Sequence, residues 1–283
     1  MAGGVSVQSK LEWPWLVELT WANAAVAVWQ MKALVLTVAI LYSVLDYAGN
    51  FIFIGVNRAL LHIGTERFFL EIADKIFTVA GLAVQSMLLA PVAVAVHRFV
   101  LLNETPSGWQ KILHPRILRF AVWTFWLEVA AEVGDLCGTA ASSSVVKFAI
   151  FAIIVVVFAR TLLIFPDVAI DIPAANLEAR FDTAWTRSRE LFWAIFWSTI
   201  VAMVPIICVT LMPGLMTALL AAIDLLPLSM PSYRTAVCTV LEELFAGILM
   251  PLQVAVLASL ASCVYLWRQE HPVAAVTPTA TPT

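Results

Sequence analysis

Asp46, Glu128, Glu132, Asp135 and Lys147 are the residues of this chain whose types and spacing could do chemistry. Glu128, Glu132 and Asp135 are spaced i, i+4, i+7, so a helix would carry all three on one face. Asp46 belongs to a different apolar run, about 20 Å along a helix from Ala33, and Glu132 stands about 22 Å from Ile117. The two acids would sit at similar depth, and Lys147 opens the next apolar run at comparable height as their counter-ion. Carboxylates gathered in a low-dielectric setting suit reversible binding of protons or cations. Two structural alternatives stand beside that chemistry. Buried acids paired with Lys147 would lock three helices together, and a helix that ends early would leave the acids at the surface.

A second set of residues could recognise rather than react. Leu177, Phe181, Ala184, Trp185 and Ser188 recur at helical spacing along 176–191, while Arg180, Arg187 and Arg189 lie with acids on the opposite face. That pattern predicts an amphipathic helix over about 174–191. It either docks a partner through Arg180, Trp185, Arg187 and Arg189 or packs on its own bundle at a membrane surface. A similar interfacial helix is predicted over about 10–30, where Trp13, Trp15, Trp21 and Trp29 favour the headgroup layer.

Other chemistry is missing. His62, His97, His114 and His271 are scattered, with no second histidine or cysteine at metal-ligand spacing. Cys137, Cys208, Cys238 and Cys263 form no CxxC; a Cys137–Cys238 bridge is open if both face an oxidising compartment, and apolar packing is the alternative. No phosphate loop, nucleophile elbow or dinucleotide fingerprint is present. The expectation is a chain without catalytic residues, cofactor or metal.

The elements that must position these residues follow from composition. Charged residues are only 12% of the chain, about half the ~25% of soluble domains. So few charges cannot keep a body of 283 residues dissolved, so its surface must face lipid. A soluble enzyme, a disordered chain and a nucleic-acid binder are excluded, the last because no basic run exists to hold phosphate. Apolar runs long enough to cross ~30 Å of hydrocarbon occupy 33–56, 76–96, 117–133, 145–165, 192–220 and 244–267. The third is the weakest, carrying Arg119, Glu128 and Glu132. The runs are continuous rather than alternating, so they are helices and not barrel strands. The fifth is too long for one straight crossing, and Pro205 and Pro213 predict a kink or a break in it.

With the N-terminus inside, eleven of the 16 basic residues fall on the cytoplasmic side. Both ends are therefore expected in the cytoplasm. His97 and His114 fall in an inner loop with Arg98, Lys111, Arg116 and Arg119, a cluster fit to anchor on anionic lipid. Arg160 either snorkels to the inner headgroups or pairs with Asp167 or Asp171. Glu242 and Glu243 open the last run, where acids suit a helix N-terminus. No cleavable signal peptide is expected at the start, and 271–283 should be a disordered tail. The fold class is thus an all-α polytopic membrane helical bundle, one transmembrane domain over 1–270 with about six crossings and one or two interfacial helices.

Arg160-Thr161-Leu162-Leu163-Ile164-Phe165-Pro166, followed by Ala184-Trp185-Thr186-Arg187-Ser188-Arg189-Glu190-Leu191-Phe192-Trp193, resembles a pattern in uncharacterised bacterial polytopic membrane proteins. It is similar to the membrane-domain family attached to some glycerophosphodiester phosphodiesterases, and Val264-Tyr265-Leu266-Trp267-Arg268 resembles that family's aromatic-basic finish. Glu190 stands where the family has glycine. The resemblance covers about 35 residues well. It implies a multi-pass helical bundle of the bacterial inner membrane and carries no catalytic residues, because the phosphodiesterase domain is absent. The functional expectation is a non-catalytic scaffold, assembly or regulatory subunit whose partners are the lipid bilayer and other membrane proteins, with no nucleic acid. The alternative is a transporter or channel for a small ion or amphiphile that uses the intramembrane carboxylates.

Overall fold

A computed structural model describes residues 12–62, 67–104, 114–140, 143–171, 177–222 and 231–271. Among them the chain is all helical: α1 (Trp13–Gln30), α2 (Lys32–His62), α3 (Arg67–Leu102), α4 (Pro115–Ala140), α5 (Ser144–Thr161), α6 (Ile164–Ala169), α7 (Leu177–Ser188), α8 (Phe192–Ala222) and α9 (Pro231–Glu270). Five stretches are long and apolar enough to cross a membrane: Lys32–Leu60, Ile72–Leu102, Ser144–Thr161, Phe192–Met212 and Phe245–Glu270. The fold is a helical membrane bundle.

Four of these five overlay the expected runs closely, and the fourth expected run is cut short. Its α5 stops at Thr161, and the residues that follow form the separate, wholly buried turn of helix α6. The weak third run is α4. Its charges keep it out of the apolar set, yet it runs antiparallel to α3, from His97 against Phe120 at one end to Lys75 against Glu132 at the other. Pro115 begins it, at a first-turn position where the missing amide is no loss.

The expected break in the fifth run is corrected. Helix α8 is continuous through Pro205 and Pro213. A proline removes one ladder bond, and the neighbouring helices α1 and α9 hold the rest in place. The tryptophan-rich segment is a helix, α1, separated from α2 only by Met31, whose backbone still bonds across the joint to Ala27 and Val35. One face of α1 is packed: Leu16, Thr20, Ala24 and Ala27 are buried, the Ser259 hydroxyl donates to the Thr20 carbonyl, and Asn23 Nδ2 donates to Cys263 Sγ. Trp13, Trp15 and Trp29 remain exposed on the other face.

The core is concentrated at one end of the bundle. Leu89–Val96 of α3, Ile117, Phe120 and Ala121 of α4, all of α6, and Ala255–Tyr265 of α9 interlock there with Leu16 and Ala27 of α1, Val35 and Val38 of α2 and Ile195 of α8. This is the packed end. The opposite, open end holds the second half of α2, the first half of α3, the last turns of α4 and the start of α5. There Phe51, Ile76, Phe148 and Phe151 are exposed. The residues expected as a disordered tail and the start expected to lack a signal peptide fall almost wholly outside the described residues.

Candidate functional site

The five residues singled out as a charge cluster do not come together. Glu128 and Glu132 do face the same way, toward α3. The Ser86 hydroxyl lies 2.8 Å from Glu128 Oε2, and Lys75 Nζ reaches Glu132 Oε1 at 3.4 Å. Ser86 Oγ also lies 2.8 Å from the Leu82 carbonyl, so its single hydrogen can serve only one of the two acceptors at a time. The expected counter-ion is corrected. Lys75 of α3 takes that role, and Lys147 stands exposed at the start of α5. A side chain on an adjacent antiparallel helix is nearer than one that must reach from the next turn-around, which height along the chain alone cannot reveal. Asp135 is exposed beyond them.

Asp46 lies elsewhere, because α3 stands between it and α4. It lines a cleft of about 510 Å³ between α2 and α3. Asp74 lines the same cleft, as do the polar side chains of Tyr42, Asn50, Thr78 and Gln85. The two helices meet through an edge-on contact of Phe53 and Phe77, ring centres 5.5 Å apart, α2 finishing and α3 starting at the open end. Asp74 therefore stands toward the open end and Asp46 deeper. Sequence reasoning missed Asp74 because it falls two residues before the apolar run at 76–96. Its spacing to Phe77, Thr78 and Gly81 on one helical face was the available signal.

The amphipathic helix forms as α7; of its expected packed face Ala184 and Ser188 are buried, while Phe181 and Trp185 are exposed. It is tied to the packed end by charge. Arg160 lies over the rings of Trp185 and Phe192, 5.3 and 5.5 Å from their centres, and donates to the Trp185 carbonyl at 3.2 Å. Arg187 reaches Asp167 at 3.6 Å, and Arg268 reaches Glu190 at 3.3 Å. The pairing expected for Arg160 with Asp167 or Asp171 is thus corrected. Its plane is stacked on aromatic faces, and Asp167 belongs to Arg187. Tyr265 approaches the same carboxylate from α9, and Asp167 Oδ1 is buried without a hydrogen-bond donor. Arg189 is exposed, and the side chain of Arg180 lies outside the described residues.

The loop cluster of basic residues is also redrawn. His97 is not in a loop but fully buried in α3, its Nδ1 2.8 Å from Ser262 Oγ. Ser262 Oγ also lies 2.9 Å from the Ala258 carbonyl, so its single hydrogen serves either that oxygen or His97 Nδ1, and in the first case Nδ1–H is the donor. Arg98 bonds Glu104 and the Ala169 carbonyl. Arg116 and Arg119 both close on Asp171, at 3.5 and 3.0 Å. Asp171 adopts φ 57°, a left-handed conformation that a short polar residue tolerates, and it follows Ile170, the C-cap of α6. Cys137 is a free thiol near the end of α4; the side chains of Cys238, Glu242 and Glu243 lie outside the described residues.

Among the described residues no three His, Cys, Asp or Glu side chains are grouped to hold a metal ion. No family model, curated protein or solved structure matches the chain. Arg160, Trp185, Ser188 and Phe192 meet in space.

Proposed function

We propose that the chain is a multi-pass protein of the bacterial inner membrane that acts without covalent chemistry, as a scaffold, assembly or regulatory subunit of other membrane components. In this reading α4 is the sixth crossing, both ends are cytoplasmic, and the packed end is the inner one. The observation that carries it is the state of α7. The helix is pinned by Arg160, Arg187–Asp167 and Glu190–Arg268, yet Phe181 and Trp185 are stacked on one another and remain 39% and 37% exposed. A fixed aromatic pair on a charged helix is a preorganised contact surface, because little ordering remains to be done when a partner arrives.

A photo-crosslinking residue in place of Asp182, tested in intact cells, checks this. The expected result is a discrete protein adduct that disappears in a Phe181→Ala/Trp185→Ala background. Adducts to lipid alone would overturn it and leave α7 as a helix that only lies on the membrane.

The second reading, a transporter or channel for a small ion or amphiphile, is favoured by one observation, the open cleft that holds Asp46 and Asp74. Flux in reconstituted vesicles tests it. Flux should be lost in an Asp46→Asn/Glu132→Gln variant; undiminished flux with lowered stability would assign these acids to packing.

A further inference from the structure

We infer that the cleft between α2 and α3 binds an amphiphilic organic cation, a charged amine or onium group carried on an apolar body. The inference rests on the second reading above and names its ligand class. Three observations converge on it. The cleft is large, about 510 Å³, within the ~300–1,000 Å³ of small-molecule sites. Among the described residues its lining holds two carboxylates and no Lys, Arg or His. The neighbouring Lys75 lies 4.0 Å from Asp74 but is already engaged by Glu132 at 3.4 Å on the far face of α3. Asp46 has no ion-pair partner among the described residues. The charge of the cleft therefore calls for a cation.

The walls decide which kind. An inorganic ion asks for a tight shell of oxygens, whereas here the acids are separated along the cleft by apolar side chains. Phe53 and Phe77 present aromatic surface to it, and cations favour such faces. Gly49 and Gly81 complete the lining from opposite helices, and a Cβ at either would meet nothing within 4 Å. The absence of those two side chains is what leaves the space. A ligand with its charge beside Asp46 and its body over the two glycines matches charge with charge and apolar surface with apolar surface.

Tetraphenylphosphonium is the probe, and equilibrium dialysis against the full chain in phosphatidylcholine nanodiscs is the measurement. Saturable binding above empty nanodiscs is expected, with tetraphenylborate, an anion of the same shape, failing to bind saturably. Asp46→Asn should weaken binding at least about tenfold, as loss of one partner from a close charge pair does. Gly81→Leu should abolish it while leaving both carboxylates in place and the melting of the bundle unchanged. Uptake equal to empty nanodiscs, equal binding of tetraphenylborate, or unchanged binding in Gly81→Leu would each overturn the inference. Displacement by sodium or potassium chloride together with intact binding in Gly81→Leu would also overturn it, in favour of an inorganic-ion site. Transport is read separately: saturable binding without vesicle flux leaves this inference standing and removes the transport reading, and flux without saturable binding does the reverse.

Discussion

The packed end and the open end of this bundle spend their polar residues in opposite ways. At the packed end charged and polar side chains pair across elements: Arg187 with Asp167, Arg116 and Arg119 with Asp171, Arg268 with Glu190, and His97 with Ser262. Those pairs sit around a core in which Leu163, Ile164, Ile195 and Leu260 are almost fully buried. At the open end Asp46 faces a cleft, Asp135 and Lys147 are exposed, and apolar side chains point outward. Stability should therefore reside at one end and ligand access at the other. Regions with few buried contacts are the ones that open most easily, so the split separates a scaffold from a site within a single bundle.

The largest effect should come from the packed core. Leu163→Ala removes a side chain that is 1% exposed and should cost about 2–5 kcal/mol. Phe148→Ala, at the open end and 72% exposed, should change stability by no more than ~0.5 kcal/mol. Reversible unfolding in mixed micelles measures both. Equal losses at the two positions would break the contrast.

Glycines sharpen the same contrast. A side chain at Gly247 would run into the Ser43 side chain and the Ala39 carbonyl where α9 crosses α2. Gly247→Leu should thus cost about 1–3 kcal/mol through overpacking. Gly81→Leu projects into empty space and should leave the melting temperature in place. If both were tolerated, the α2–α9 crossing would not be a close approach, and α2 would be free along its whole length.

How much of this was readable from the residues can be argued element by element. Apolar run length located the long helices, because crossing hydrocarbon demands continuous apolar sequence. Helical spacing located the buried face of α7 through Ala184 and Ser188. What failed were pairings across large sequence separation. Lys75 and Glu132 are 57 residues apart, and His97 and Ser262 are 165 apart. Periodicity says which face a residue occupies, not which helix that face meets. His97 was assigned to the loop by its neighbour Arg98, although the unbroken apolar run 89–96 immediately before it was the cue that the helix interior continued. Arg160 was matched to acids by charge, while its neighbours in space are aromatic planes contributed by α7 and α8. The candidate cleft was half legible: Asp46 stood out inside an apolar run, and Asp74, just outside one, did not.

A moderate effect is expected where α7 is fastened. Arg160→Lys keeps the charge but loses the flat guanidinium that stacks on Trp185 and Phe192. The loss should be about 1 kcal/mol, and it should fall on α7 rather than on the whole bundle. Hydrogen exchange resolves the two outcomes. Faster exchange confined to α7 and the start of α8 is the expected pattern, whereas uniform acceleration would mean that Arg160 supports the core itself.

The smallest effect belongs to the ion pair that replaced the expected one. Lys75 and Glu132 are 46% and 31% exposed at the open end, and pairs that exposed contribute ~0–1 kcal/mol. Glu132→Gln should therefore shift stability by less than about 1 kcal/mol. Lys147→Gln should shift it by nothing measurable, since Lys147 is exposed at the start of α5. A double-mutant cycle between Lys75 and Glu132, run beside one between Lys147 and Glu132, reads the coupling directly. Coupling in the first cycle and none in the second is the signature of α4 leaning on α3. Coupling in the second would put the start of α5 against the carboxylates of α4 and restore Lys147 as their counter-ion.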